Sequence, residues 1–459
     1  MISFTDSRVL DRNSEALGVP VSVLMDRAGA ALAGYIEKEY PGCRAVFVCG
    51  TGNNGGDGFA AALRMDPKKI KVVLLKKPSE IRSDIARERY SLLECPIEIY
   101  GGKESFEGCD LIVDCALGTG ISGNIREPYL QFINDAKNSG LPVVSADIPS
   151  GFGTETAVVP EATVTFHDVK TGMTEANCGK IIVADIGIPD EASSAVGPGD
   201  MLRYPVPRRD SHKGNNGKLM IIGGGPYFGA PAMSALSALR TGADSVRIFA
   251  PYPVCKEIAS VSPVFMVTKL PDAALSLDSL DILLKEMPRY DAVLIGPGLG
   301  NAEETLKTAR AFVRACSVPV VIDADGISAV KDLKMKVPAV LTPHSGEFAG
   351  IADGRTPEEL SLAMNAVILK KGPEDIIAGG GKTRVSRTGN PGMTGAGTGD
   401  VLAGAVAGLL SKGMSAFDAA CLGAYITGKA GDKAFSEKSY GLIATDVIER
   451  IPDVLREGL

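Results

Sequence analysis

Along most of this chain, short apolar runs alternate with stretches of helical periodicity. Leu17, Val21, Leu24, Met25, Ala28, Ala31 and Leu32 recur at helical spacing over 11–32, interrupted at Gly18-Val19-Pro20, so two helices are expected there. Residues 45–49 form a continuous apolar run closed by Gly50, the pattern of a buried strand, and 59–65 reads as the following helix. Similar runs at 70–75, 111–115 and 142–147 are spaced by helical stretches at 83–93 and 126–138. The alternation resumes with strands at 218–222, 245–250, 292–295, 318–322 and 339–341, then helices at 232–239, 401–410 and 416–434. Strand–helix alternation of this kind implies mostly parallel sheets covered by helices on both faces. The prolines of Pro205-Val206-Pro207 make a stiff connector, so the boundary is expected at 205–212. The fold class expected is α/β, in two doubly wound domains, 1–207 and 208–459.

The polar residues cluster where these strands end, the place where open α/β sheets bind ligands. After the first strand comes Gly50-Thr51-Gly52-Asn53-Asn54-Gly55-Gly56-Asp57-Gly58, which satisfies G-x-G-x-x-G between a strand and a helix. Paired amides beside a carboxylate can hold a hydroxylated ligand or a hard cation, whereas turn-forming Asn and a capping Asp are the plainer alternative. Asp114 precedes Gly118-Thr119-Gly120, and Asp147 precedes Pro149-Ser150-Gly151. In the second half, Thr394-Gly395-Ala396-Gly397-Thr398-Gly399-Asp400 runs into a helix of small residues. Such a loop offers free N–H groups and the positive end of a helix dipole to phosphate oxygens. Asp400 fits a base for a substrate hydroxyl, or simply an N-cap. His344, after Pro343, fits a ligand contact or a helix cap.

Composition narrows the function classes. Hydrophobic residues at 45% and charged residues at 22% suit large globular cores. The net charge of −7 argues against nucleic acid or an acidic membrane as partner. Nine cysteines without C-x-x-C make no disulfide framework, and three scattered histidines argue against a His-based zinc site. With no signal-like start and no run near the ~20 apolar residues of a membrane span, a soluble cytoplasmic protein is expected, assembled as a homo-oligomer.

Residues 15–190 resemble the NAD(P)H-hydrate epimerases. The matching pieces are Gly52-Asn53-Asn54-Gly55-Gly56-Asp57-Gly58, Asp114 with Gly118-Thr119-Gly120, Asp147-Ile148-Pro149-Ser150-Gly151, and Thr163-Val164-Thr165-Phe166 followed by Lys170. The resemblance implies a Rossmann-like domain that interconverts the C6 epimers of hydrated NADH or NADPH. It implies Asp147 as acid or base and K+ held near Asn54, Asp114 and Ser150. Substrate contacts would come from Asn53, Asn54, Gly55, Gly56 and Asp57, from Gly118, Thr119, Gly120, Ile121, Ser122, Gly123 and Asn124, and from Asp147.

The second half resembles the ribokinase-like ADP- or ATP-dependent NAD(P)H-hydrate dehydratases. It does so through His212-Lys213-Gly214, Tyr227-Phe228-Gly229-Ala230, Gly296-Pro297-Gly298-Leu299-Gly300, Asp323-Ala324-Asp325, Thr342-Pro343-His344-Ser345-Gly346-Glu347 and the glycine loop to Asp400. This implies hydrate contacts at Ala230, Gly298, His344 and Asp400, with Asp400 catalytic. Nucleotide contacts would come from Lys371, Gly372, Pro373, Glu374, Asp375 and Gly399, with ADP as co-substrate and Mg2+ accompanying it. The family's Lys-Gly-x-x-Thr reads Lys371-Gly372-Pro373-Glu374-Asp375 here. Two other readings remain open at this level: a small-molecule kinase with a binding front domain, and a front domain that is only a scaffold.

Overall fold

The run Ala45–Cys49 is a strand with every residue buried, because it lies inside a sheet covered on both faces. Phe47 and Cys49 pack with Leu32, Ile36 and Phe59, while Val46 and Val48 pack on the other side with Ile112 and Phe132. In this computed structural model, which describes residues 1–120 and 124–459, the chain divides into Met1–Ala192 and Ser193–Leu459. Among the described residues no helix is long and apolar enough to cross a membrane.

The strands of the first unit are β1 (Ala45–Cys49), β2 (Ile70–Leu74), β3 (Ile97–Ile99), β4 (Leu111–Cys115), β5 (Val143–Ala146), β6 (Ala162–Phe166) and β7 (Lys180–Ala184). They pair in the order β3-β2-β1-β4-β5-β6-β7, all parallel. The order reverses direction between β1 and β4, which opens a crevice at their carboxyl ends, as in the Rossmann arrangement.

One expectation about this crevice is corrected. The helix after β1 is not 59–65 but Asn53–Ala62, so Asn53, Asn54 and Asp57 lie on its first turns rather than in a loop. Glycine is a poor helix former, which hides this start from sequence patterning. Packing overrides the propensity. A Cβ on Gly55 would stand 2.2 Å from the Gly50 carbonyl oxygen, and one on Gly58 would stand 2.8 Å from the sulfurs of Cys49 and Cys115.

The second unit holds β8 (Lys218–Ile222), β9 (Ser245–Pro251), β10 (Met266–Leu270), β11 (Ala292–Ile295), β12 (Val320–Ile322), β13 (Ala339–Leu341), β14 (Val367–Lys370), β15 (Asp375–Gly379) and β16 (Lys382–Ser386). Their order is β10-β9-β8-β11-β12-β13-β14-β15-β16, with β15 and β16 antiparallel additions at one edge. Here too the order reverses beside the first strand, between β8 and β11. The helices Gly229–Arg240 and Thr398–Ser411 pack closely: a Cβ on Gly404 would lie 2.2 Å from the Ser234 carbonyl oxygen.

The boundary also differs from the expected 205–212. Val196, Met201 and Tyr204 are buried in the core of the second unit, and Ala195 pairs with Val385. Asp200, fully buried, accepts from Arg384 Nη2 at 2.9 Å. An apolar anchor and a buried ion pair bind residues 195–204 to the second unit, so the proline-containing connector falls inside that unit.

Candidate active sites

The first unit encloses a cavity of about 630 Å³ beyond the carboxyl ends of β1, β4, β5 and β6. Asp147 follows β5 with its backbone at φ 61°, in the left-handed region that Asp tolerates better than most residues. Its N–H donates to the Val164 carbonyl at 2.8 Å, fixing the turn that aims the carboxylate inward. Lys170 Nζ donates to Asp147 Oδ1, to Thr165 Oγ1 at 3.0 Å and to the Phe166 carbonyl at 2.8 Å. An ammonium carries three donors, so all are used. The Lys170 side chain is 1% exposed, so it acts as a fixed counter-charge to Asp147 and not as a surface cation.

Two further carboxyls face the same cavity, Asp57 and Asp11. Burial pushes Asp57 well above the usual carboxylate range, with the charges of Asp147 and Asp11 adding to the effect and Lys170 opposing it. Burial likewise raises Asp11 to about 6, reinforced by Asp147 and opposed by Lys170. Three carboxyl groups around one ammonium favour retention of a proton at neutral pH.

Asp114, at the end of β4, is fully buried and accepts four hydrogen bonds. Ser145 Oγ donates to Oδ2 at 2.9 Å and the Ser150 N–H to Oδ2 at 2.8 Å, while Ser150 Oγ and the Ala116 N–H donate to Oδ1. Ser150 Oγ also accepts from the Leu117 N–H at 2.8 Å, tying the loop after β4 to the loop after β5. Asn54 Nδ2 donates to the Leu117 carbonyl at 3.1 Å, but Asn54 Oδ1 is buried without a hydrogen-bond partner among the described residues. A buried acceptor left unpaired costs about 1–3 kcal/mol, so an added donor or a cation would be stabilising there. Oxygen atoms with one carboxylate nearby suit a hard monovalent cation, so the donor set of Asn54, Asp114 and Ser150 fits K+.

In the second unit the glycine loop ends in the helix Thr398–Ser411, whose N-cap is Gly397 at φ 92°. Asp400 is the third residue of that helix, so it is not the capping residue. Its carboxyl has no hydrogen-bond partner among the described residues. Burial raises it to about 7, the charges of Asp323 and Glu347 push in the same direction, and Lys371 opposes them. Lys371 follows β14, and Asp323 follows β12; their Nζ and Oδ1 atoms lie 3.0 Å apart. A Cβ on Gly399 would stand 3.2 Å from Lys371 Nζ, so this ammonium sits against the start of the glycine-loop helix. Asp400, Lys371, Asp323 and Glu347 form one electrostatic cluster at that helix start.

Comparison with known proteins bears on both sites. Residues 219–453 match a family model described as NAD(P)H-hydrate dehydratase, and residues 21–172 match one described as YjeF-related protein N-terminus. A bifunctional NAD(P)H-hydrate repair enzyme from Pyrobaculum aerophilum is 38% identical, over 99% of this chain and 98% of that one. A protein of the same description from Archaeoglobus fulgidus is 36% identical over the same shares. The chain belongs to the bifunctional NAD(P)H-hydrate repair enzymes. Among solved structures, the ADP/ATP-dependent NAD(P)H-hydrate dehydratase from Bacillus subtilis, co-crystallised with ATP and Mg2+, aligns with a TM-score of 0.52 at 25% identity. It covers 58% of this chain and 99% of that one.

In this member of the repair-enzyme family, Asn53, Asn54, Asp57, Gly118, Thr119, Gly120, Asn124 and Asp147 all face the first cavity. Ile121, Ser122 and Gly123 lie outside the described residues. Gly55 and Gly56 are buried against Gly50 and Met25, so their bare Cα atoms serve helix packing. His344 caps the helix Ser345–Ala352: Nδ1 accepts from the Gly346 N–H at 3.0 Å and the Glu347 N–H at 3.2 Å. That places the imidazole N–H on Nε2, which lies 3.5 Å from Glu347 Oε1. Gly298 is buried at φ 70°, and a Cβ there would be 2.0 Å from the Tyr227 carbonyl oxygen; Ala230 is half-buried in the helix beside it. Asp375 turns back on its own loop and accepts from the Gly372 N–H at 3.0 Å, leaving Gly372, Pro373 and Glu374 exposed. Sequence reasoning assigned no role to Asp11, Lys170 or Glu347. Lys170 and Glu347 stand within the matching motif pieces, whereas Asp11 shows in the sequence only as a charge on a helical stretch.

Proposed function

We propose that the first unit interconverts the R and S forms of hydrated NADH and NADPH at its Asp147–Lys170 cavity. The second unit dehydrates the S form using ADP, yielding NAD(P)H, AMP and phosphate. The observation that carries the second half is Asp400, a carboxyl raised to about 7 beside a glycine-capped helix start and the Lys371 ammonium. A base whose value lies near the working pH is well matched to taking a proton from the substrate hydroxyl. Hydroxide leaves poorly; once that hydroxyl oxygen carries phosphate, the C–O bond breaks with phosphate as the leaving group. Lys371 and the N–H groups at the start of the helix Thr398–Ser411 would stabilise the charge on the transferring group. Mg2+ would arrive on the nucleotide, as part of that substrate.

In the first unit Asp147 gives or takes the proton at the hydroxyl, with Lys170 holding its carboxylate in place. Asn54, Asp114 and Ser150 would hold K+, which would supply a fixed positive charge beside the ligand. The remaining members of the expected contact sets, including Ala230, Gly298, His344 and the segment from Lys371 to Asp375, are assigned on the same reading.

The test supplies mixed epimers of hydrated NADH with ADP, then with ATP, in potassium buffer. Recovery of near-ultraviolet absorbance with consumption of both epimers is expected. If neither nucleotide restores it, the reading is wrong; a stable phosphorylated product would instead mark a small-molecule kinase.

A further inference from the structure

We infer that Asp11 works with Asp147 as a pair of proton-carrying groups, one giving and one taking the proton at the hydroxyl-bearing carbon of the hydrate. The inference rests on the epimerase reading above and adds a residue to it. Asp11 lies ahead of the 21–172 segment that matches the family model, on the helix Phe4–Ala16. The fold nevertheless fixes it at the site. The Ile2 N–H donates to the Val169 carbonyl and the Thr171 N–H to the Ile2 carbonyl, each at 2.9 Å, so the start of the chain is stitched across Lys170. Ser3 then caps the helix, accepting from the Asp6 N–H at 3.1 Å while Asp6 accepts from the Ser3 N–H at 2.8 Å. Two turns on, Asp11 faces the cavity with Asp57, Asp147 and Lys170.

The charge arrangement separates the roles. All three donors of Lys170 are spent on Asp147, Thr165 and Phe166, so Asp147 is the ion-paired carboxylate and Asp11 has no direct share of the ammonium. Burial and the Asp147 charge hold Asp11 at about 6, so it carries a proton in mildly acidic solution and loses it above. The other charged or titratable groups facing this cavity are Arg8, on the same helix, and Arg82, Arg126, His167 and Tyr129. On the adjoining helix Val21–Glu39, Asp26 is ion-paired with Arg89, and Arg27 donates to the Ile186 and Gly187 carbonyls.

The step balances with water alone. One carboxylic acid donates its proton to the C6 hydroxyl, and the C6–O bond breaks with its electron pair leaving as water. The ring nitrogen lone pair forms the C=N bond of an iminium. Water then attacks C6 from the opposite face, the C=N electrons return to nitrogen, and the second carboxylate takes the surplus proton. Each turnover exchanges the protonation of the pair, and proton exchange with solvent water resets it before the next. Nothing is oxidised or reduced.

The test uses the full chain and one resolved epimer of hydrated NADH, without nucleotide, following conversion to the other epimer by chromatography between pH 5 and 8. With Asp11 as the acid, wild-type kcat/KM falls as pH rises through about 6. Asp11→Asn is expected to lower kcat by about 10²-fold with little change in KM, and to abolish that limb. Asp11→Glu is expected to restore both, which a merely structural loss would not give. A variant Asp11→Asn with wild-type rate and pH profile overturns the inference, as does a loss that Asp11→Glu leaves unrepaired. If wild type itself does not interconvert the epimers, the epimerase reading fails instead.

Discussion

Lys371 Nζ lies 3.0 Å from Asp323 Oδ1, and the same oxygen accepts from Thr342 Oγ1 at 2.7 Å. The Asp323 side chain is 2% exposed, so the pair is buried and its members depend on each other. Removing one partner of a buried pair costs about 3–5 kcal/mol, because the other charge is stranded. Lys371→Met is expected to lower the denaturant midpoint of the second unit and to stop dehydration. Adding Asp323→Asn should recover much of the stability and none of the activity. A double variant as unstable as the single one would refute the pairing argument.

Asp400 links catalysis to stability through pH. Its carboxyl titrates at about 7 in the folded chain against 3.8 for the free group, so the native state holds the proton more tightly than the unfolded state. Its contribution is therefore fully present below pH 3.8 and lost as pH rises to about 7. Asp400→Asn removes that loss. At pH 8 the variant should gain on the order of 2 kcal/mol, after allowing for partial exposure, while dehydration falls by ~10²–10⁴-fold. Epimerisation should persist. Calorimetry at pH 5 and 8 with both assays checks all three.

Asn54 Oδ1 is a buried acceptor without a partner among the described residues. K+ at that atom predicts that potassium chloride raises the melting temperature of the first unit in wild type, relative to the same concentration of choline chloride. Asn54→Ala should show no such difference. Equal potassium responses in both chains would remove Asn54 from the cation site.

The Gly404 Cα packs where a Cβ would stand 2.2 Å from the Ser234 carbonyl oxygen and 2.7 Å from its Cα. Both obstacles are backbone, so Gly404→Ala should force the two helices apart and cost about 1–3 kcal/mol, despite alanine's better helix propensity. Urea unfolding would show it; an unchanged midpoint would contradict the close approach.

Asp375 stands where a Thr would complete the Lys-Gly-x-x-Thr pattern, and burial raises it to about 6. Above that pH it places a negative charge beside an expected phosphate-binding turn, so ADP affinity should weaken as pH rises from 5 to 7. Asp375→Thr should tighten ADP binding at pH 7 and flatten the dependence, measured by calorimetric titration. A pH profile shared by both chains would absolve Asp375.

Local pattern along the chain was enough for the α/β class, the central strands, and the placing of chemistry at their carboxyl ends. Strands such as Ala45–Cys49 and Ala292–Ile295 are buried on both faces, and that burial writes an unbroken apolar run into the chain. The motifs that mark the family were legible because glycine loops and strand-end carboxylates are local features. Tertiary structure decided what depends on distant partners. The helix Asn53–Ala62 starts inside a glycine run because Gly50, Cys49 and Cys115 leave no room for side chains. The second unit begins ahead of the prolines because Asp200 finds Arg384. Asp11 looks like an ordinary charge in sequence, and Lys170 only like one member of a motif; only the folded sheet buries that lysine among three carboxyls, and that burial sets which of them holds a proton.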